Sequence, residues 1–224
     1  ATFVRFGPAE ENILMGVQIS QAGSVVLGLT HLILADHDGP IDRRDWLGLV
    51  CGLGSIMSSG FGPLLVATVG LAAIFRRGWR PALFHTLALA TVYVVWWTLS
   101  HSDSLVDKAY PSLEIFVQWL VLAVSGVFLA LGGYPVVAVG LGALLVTGLM
   151  LAWVPLSLPV LRQQASLHAA MLIGAVALQV IICMERWPMM WIGGPDIART
   201  GRYIIVSVAL TLPALALAAD AVVR

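Results

Sequence analysis

Charge is what this sequence has least of. Asp, Glu, Lys and Arg make up only 11% of its residues, against about 25% in a typical soluble domain. A water-facing surface cannot be assembled from so few charges, which excludes a soluble globular domain; the surplus apolar surface must face lipid. Lysine is nearly absent, with Lys108 the single example. The 12 basic residues balance the 12 acidic ones, and no basic patch or acidic tail points to nucleic acid or to a charged partner. Cysteine is equally scarce. Cys51 and Cys183 both lie in apolar runs, without metal-type spacing, and read as small buried side chains. There is no nucleophile elbow, P-loop, paired-histidine zinc motif or dinucleotide fingerprint, and no internal repeat or low-complexity tract.

What is present is a succession of apolar runs, each near the length of about 20 residues that a membrane-crossing helix needs. They cover Ile13–Ala35, Trp46–Phe75, Pro81–Ser100 and, approximately, Leu113–Leu131, Val136–Val154, Ala165–Met184 and Tyr203–Ala219. The run Trp46–Phe75 would measure about 45 Å as one helix, more than a bilayer's hydrocarbon core of about 30 Å. Its middle, Ser58-Ser59-Gly60-Phe61-Gly62-Pro63, is a helix-breaking cluster. The expectation is therefore all-α: a polytopic transmembrane helical bundle of seven or eight segments, including a kinked helix or a hairpin pair around residues 46–75. The whole chain, 1–224, reads as one transmembrane domain in the plasma membrane. With the hairpin, and the amino end outside, eight basic residues fall inside and four outside; with a single crossing the counts are five and seven. Positive-inside counting favours the hairpin. Tryptophans and tyrosines near the run ends match interfacial belts, and glycine pairs such as Gly48 with Gly52 match close helix packing.

Polar residues at the edge of a membrane core are costly, so each is a candidate for function. Glu10, Glu11 and Asn12 precede the first run, and Gln18 shares a helix face with Glu11. They either cap a helix or open a cavity in which a carboxylate takes a proton or binds a sugar hydroxyl or a metal. Asp36, His37 and Asp38 make a weak metal set or a solvated turn with Gly39-Pro40. His31, His85 and His168 lie within runs; each reads as a packed histidine bonded to a backbone carbonyl, and nothing in the sequence brings them together. His101 and Asp103 sit with Asp107 and Lys108 in a polar loop, wet or site-forming. Trp187, Trp191, Asp196, Arg199, Arg202 and Tyr203 form the segment richest in chemistry. Its arginines present planar forks suited to a phosphate, or anchor the chain at the interface.

Three stretches carry a family resemblance. "WLGLVCGLGSIMSSGFGPLLVATVGLAAIFRRGWRPAL" (Trp46–Leu83) resembles the paired short helices of the glycosyltransferase C superfamily, with Ser58-Ser59 where members commonly have a Lys. "GRYIIVSVALTLPALALA" (Gly201–Ala218) resembles that superfamily's Arg-Tyr motif before a late, proline-containing span. "AEENILMGVQIS" (Ala9–Ser20) resembles the start of a middle span in actinobacterial members. The resemblance implies a polytopic enzyme that transfers a sugar from a polyprenyl-phosphate donor to an acceptor at the outer membrane face. Glu11 would contact the acceptor or a metal. Arg199, Arg202 and Tyr203, with Asn12 and Gln18 nearby, would hold the lipid phosphate, with or without a divalent metal ion. The superfamily's acidic first outer loop has no counterpart here, so the chain reads as a fragment of a longer protein. A transporter or permease component whose broken run lines a path, and a non-catalytic membrane subunit, are the alternatives. Lipid bilayer and lipid-linked donor are the implied partners; the oligomeric state stays open.

Overall fold

The structure is a computed structural model that describes residues 19–100, 110–156, 165–189, 198 and 201–223; the side chains of 149, 151–156 and 202 lie outside the description. The described residues form eight α-helices and one 3-10 turn: α1 Ile19–Ala35, α2 Arg43–Ser58, α3 Gly62–Arg77, α4 Trp79–Ser100, α5 Leu113–Gly132, α6 Pro135–Leu156, α7 Ser166–Arg186, the turn Trp187–Met189, and α8 Gly201–Val223. The all-α expectation holds. Among the described residues, four helical stretches are long and apolar enough to cross a membrane: Trp79–Ser100, Leu113–Gly132, Ser166–Met189 and Tyr203–Val223. Ile19–Ala35 and Pro135–Gly148 are shorter apolar helices. The long run 46–75 divides into α2 and α3, each 16 residues and so about 24 Å long.

Among the described residues the chain divides into two compact units, one comprising residues 19–100 with 165–170 and the other 110–156 with 171–189, 198 and 201–223. In the first unit, local chemistry fixes each helix boundary. Asp42 caps α2 by accepting from the Arg44 backbone N–H, while the Asp45 carboxylate accepts from the Asp42 N–H, a reciprocal capping box. Ser59 is extended and ends α2. Pro63 then starts α3 at the position where a missing N–H costs nothing. Gly62 is required by the tightness of this turn: a Cβ there would lie 2.5 Å from the Ile56 nitrogen and the Ser55 carbonyl oxygen.

The four helices run up and down. Ser24 of α1 and Ser55 of α2 exchange hydroxyl-to-carbonyl hydrogen bonds of 2.9 and 2.8 Å at one end. At the other end Arg77, closing α3, reaches both the Ala35 carbonyl of α1 and the Asp45 carboxylate of α2. So α2 and α3 form the expected hairpin, because the start of one helix meets the end of the next. The contact stripe of α1 is Ser24, Gly28, His31, Leu32 and Ala35, and that of α2 is Asp45, Gly48, Gly52 and Ser55. Small and polar residues dominate it, as they do where helices associate in lipid. On α4 only Ala82, His85 and Leu89 are buried, one narrow face. Trp96, Trp97 and Leu99 of the same helix are exposed, a surface suited to an apolar medium.

In the second unit, α5 and α6 are joined through Gly133, whose φ of 71° places it in the left-handed region that closes helix ends. Leu145, Ala214, Leu215 and Ala218 make one core between α6 and α8. Val127, Ile204 and Val208 make another between α5 and α8. Gly148 permits the α6–α8 approach, since a Cβ there would sit 2.5 Å from the Ala218 backbone.

Candidate functional site

Among the described residues of the first unit, nearly all the ionisable side chains stand at the end where α1, α2, α3 and α4 meet. Asp45 is the centre. It stands in the first turn of α2 and is fully buried, as is His85 two turns into α4. Its Oδ1 accepts from Arg77 at 2.6 Å and from His85 Nε2 at 2.8 Å. Its Oδ2 accepts from the Asp42 backbone at 2.9 Å, from Arg77 at 3.1 Å and from His37 Nε2 at 3.2 Å. The hydrogen bonds from Arg77, the Asp42 backbone and His85 offset the cost of burying this carboxylate. Arg77 is itself 3% exposed, so the pair is a buried one in which each charge depends on the other.

His85 continues the network inward. Its Nδ1 lies 3.0 Å from His31 Nε2, and the two rings sit 5.0 Å apart. Because His85 Nε2 faces a carboxylate that can only accept, it carries the proton and Nδ1 is the acceptor. His31 must then donate from Nε2, which leaves its Nδ1 as a bare acceptor. That atom is buried and has no partner, as this assignment requires. The result is a directional row: His31 Nε2–H to His85 Nδ1, His85 Nε2–H to Asp45 Oδ1. Gly48 and Gly52 make room for it. A Cβ would fall 2.9 Å from His31 Cδ2 at Gly48 and 2.5 Å from His31 Nδ1 at Gly52.

At the outer edge, His37 Nδ1 faces the Asp38 carbonyl oxygen at 3.0 Å while its Nε2 faces Asp45. The ring therefore spans two acceptors, one on the turn and one on α2. Arg76 bridges Asp36 at 2.7 Å and Asp38 at 3.0 Å. The hydrogen bond and charge of Arg76 hold the exposed Asp38 carboxyl below its ordinary value. One ligand atom from each of His37, Asp42 and Asp45 lies within 4.8 Å of the others. A cation there would have to displace donors from Asp45 and sit against the Arg77 guanidinium, so the set suits a proton better than a metal ion.

These contacts revise several sequence expectations. His31 and His85, read as separate histidines on backbone carbonyls, bond to each other. The turn with Asp36, His37 and Asp38 is not merely solvated; it ties Arg76 and Asp45 down. Asp45 and Arg77, the centre of the cluster, were not among the sequence candidates. Their one signal was the amphipathic spacing of Asp45 with Gly48, Gly52 and Ser55, which sets the carboxylate on the buried face of α2. His168 stands in the first turn of α7, its Nδ1 buried and unpartnered. Of the other candidates, Glu11, Asn12, Gln18, His101, Asp103 and Arg199 lie outside the described residues, as does the Arg202 side chain. Tyr203 is buried in the first turn of α8, 6% exposed. No family model, no curated protein and no solved structure matches the chain.

Proposed function

We propose that the chain is a multi-pass plasma-membrane protein, crossing seven or eight times, whose first helical unit handles protons as a component of a transporter or permease. The observation that carries this reading is the buried row His31–His85–Asp45, which ends on His37 at the polar border. Ionisable groups buried between helices in a membrane are expensive, and chains of Asp and His are a recurrent means of moving protons there. In the tautomers described above, a proton arriving at His31 Nδ1 releases the Nε2 proton to His85 Nδ1. His85 then releases its Nε2 proton to Asp45 Oδ1; once His37 has given its Nε2 proton to water at the border, a turn of the Asp45 carboxyl delivers that same proton to the vacated His37 Nε2. Rotation of the rings resets the row. The row itself covers one to two helical turns. Beyond it the α1–α2 seam continues through Gly28 and Gly52 to the Ser24–Ser55 pair, seven residues and about 10 Å farther along α1.

The test is proton flux in liposomes holding the full-length protein and a trapped pH-sensitive dye, driven by a potassium diffusion potential. The expected result is acidification above protein-free vesicles, reduced at least tenfold by His31→Gln in protein that remains monodisperse. Flux equal to protein-free vesicles, or undiminished in His31→Gln, would overturn the reading and leave the row a packing device.

The hairpin of α2 and α3, broken at Ser59 and restarted at Pro63, favours a second reading. The sequence over this hairpin resembles the paired short helices of the glycosyltransferase C superfamily. On that reading the full-length protein transfers a sugar from a polyprenyl-phosphate donor, with Glu11 toward the acceptor and Arg199, Arg202 and Tyr203 toward the lipid phosphate. Glu11→Gln should then abolish sugar transfer without loss of expression; unchanged transfer would remove Glu11 from the site.

A further inference from the structure

We propose that the starting ends of α2 and α4 form a binding site for the headgroup of an anionic phospholipid, built from Arg43, Arg44 and Arg80 beside Trp46 and Trp79. The argument begins with how the charges are sorted. Four aspartates and five arginines stand at this end of the first unit. Arg76 takes Asp36 and Asp38, and Arg77 takes Asp45. Asp42 is committed to the α2 cap. Among the described residues, no carboxylate pairs with Arg43, Arg44 or Arg80, and all three are exposed. The end is therefore close to neutral in sum but divided, with the anions held by two arginines and three cations left over.

The fold puts two of these cations side by side. α2 and α4 both begin at this end, and Trp46 meets Phe84 edge-on with ring centroids 5.0 Å apart. Arg43 precedes Trp46 by three residues and Arg80 precedes Phe84 by four. Each thus stands about one turn above that ring contact, on the same side of the pair. No acidic residue occupies the first turn of α4, so the positive end of that helix adds to the field. The Arg80 guanidinium lies 5.5 Å from the centre of the Trp79 ring, held over an aromatic face.

The surroundings identify the ligand. Arginine forks recognise phosphate oxygens. Trp46 and Trp79 are 61% and 63% exposed, as indoles are at headgroup depth, and exposed apolar side chains of α4 continue below them. A phosphate attached to acyl chains fits both parts; a free phosphate uses only the first. Three unpaired cations disfavour a choline headgroup and favour one with net negative charge.

The experiment uses the delipidated full-length protein in detergent, with phosphatidylglycerol or phosphatidylcholine of identical acyl chains added and bound lipid counted by native mass spectrometry. Wild type should retain phosphatidylglycerol preferentially. Arg43→Gln with Arg80→Gln should weaken that binding by about fivefold per arginine removed without changing phosphatidylcholine retention, and the paired Lys substitutions should keep most of it. Millimolar inorganic phosphate should not displace the lipid. Equal retention of the two lipids by wild type would overturn the proposal. So would an equal loss from the control Arg186→Gln, or complete displacement by inorganic phosphate, which would make this a soluble-phosphate site.

Discussion

A single carboxylate organises the polar end of the first helical unit. Five donors converge on Asp45, and Arg77 has almost no exposed surface through which water could replace it. Asp45→Asn should therefore cost about 3–5 kcal/mol, because a buried guanidinium would lose its counter-charge; thermal unfolding in detergent measures this.

Helix pairing depends on what is small. The α1–α2 seam admits the His31 ring because Gly48 and Gly52 have no Cβ to collide with it. Gly52→Ala would press against both His31 and Leu89, an overpacked contact that should cost about 1–3 kcal/mol. Gly60→Ala, in the hairpin turn with open space around it, should change the melting temperature little. A reversed order of the two would contradict the packing described. Between α5 and α6 the constraint is backbone conformation rather than space. Gly133 has φ of 71° and open space around it, so Gly133→Ala should cost about 1 kcal/mol through strain alone.

For the molecule as a whole, the charged end and the Ser24–Ser55 end of the first unit belong on opposite sides of a bilayer if α1, α2, α3 and α4 each cross it. In a Cys51→Ser, Cys183→Ala background, Pro40→Cys and Gly60→Cys place thiols at the two ends, both at exposed positions. A membrane-impermeant maleimide added to sealed vesicles should label one of them and reach the other only after permeabilisation. Labelling of both from one side would show that α2 and α3 do not span but form a re-entrant pair, with the start of α2 and the end of α3 still on one side.

The sequence by itself determined the class of solvent and the class of fold. Scarce charge and repeated apolar runs leave helices as the way to satisfy backbone polar groups in lipid, and the Ser59–Pro63 break was legible because proline and glycine act locally. Helix boundaries after residue 79 also fell close to the apolar runs, since composition changes sharply there. Among the described residues four helices reach crossing length, while α2 and α3 stop at 16 residues each, where Ser59 and Gly78 end them. The His31–His85–Asp45–Arg77 network was decided by tertiary structure alone. Its members are separated by up to 54 residues, and each looks ordinary beside its sequence neighbours. Only the antiparallel return of α1, α2, α3 and α4 to one end makes their desolvation and hydrogen bonding a shared property.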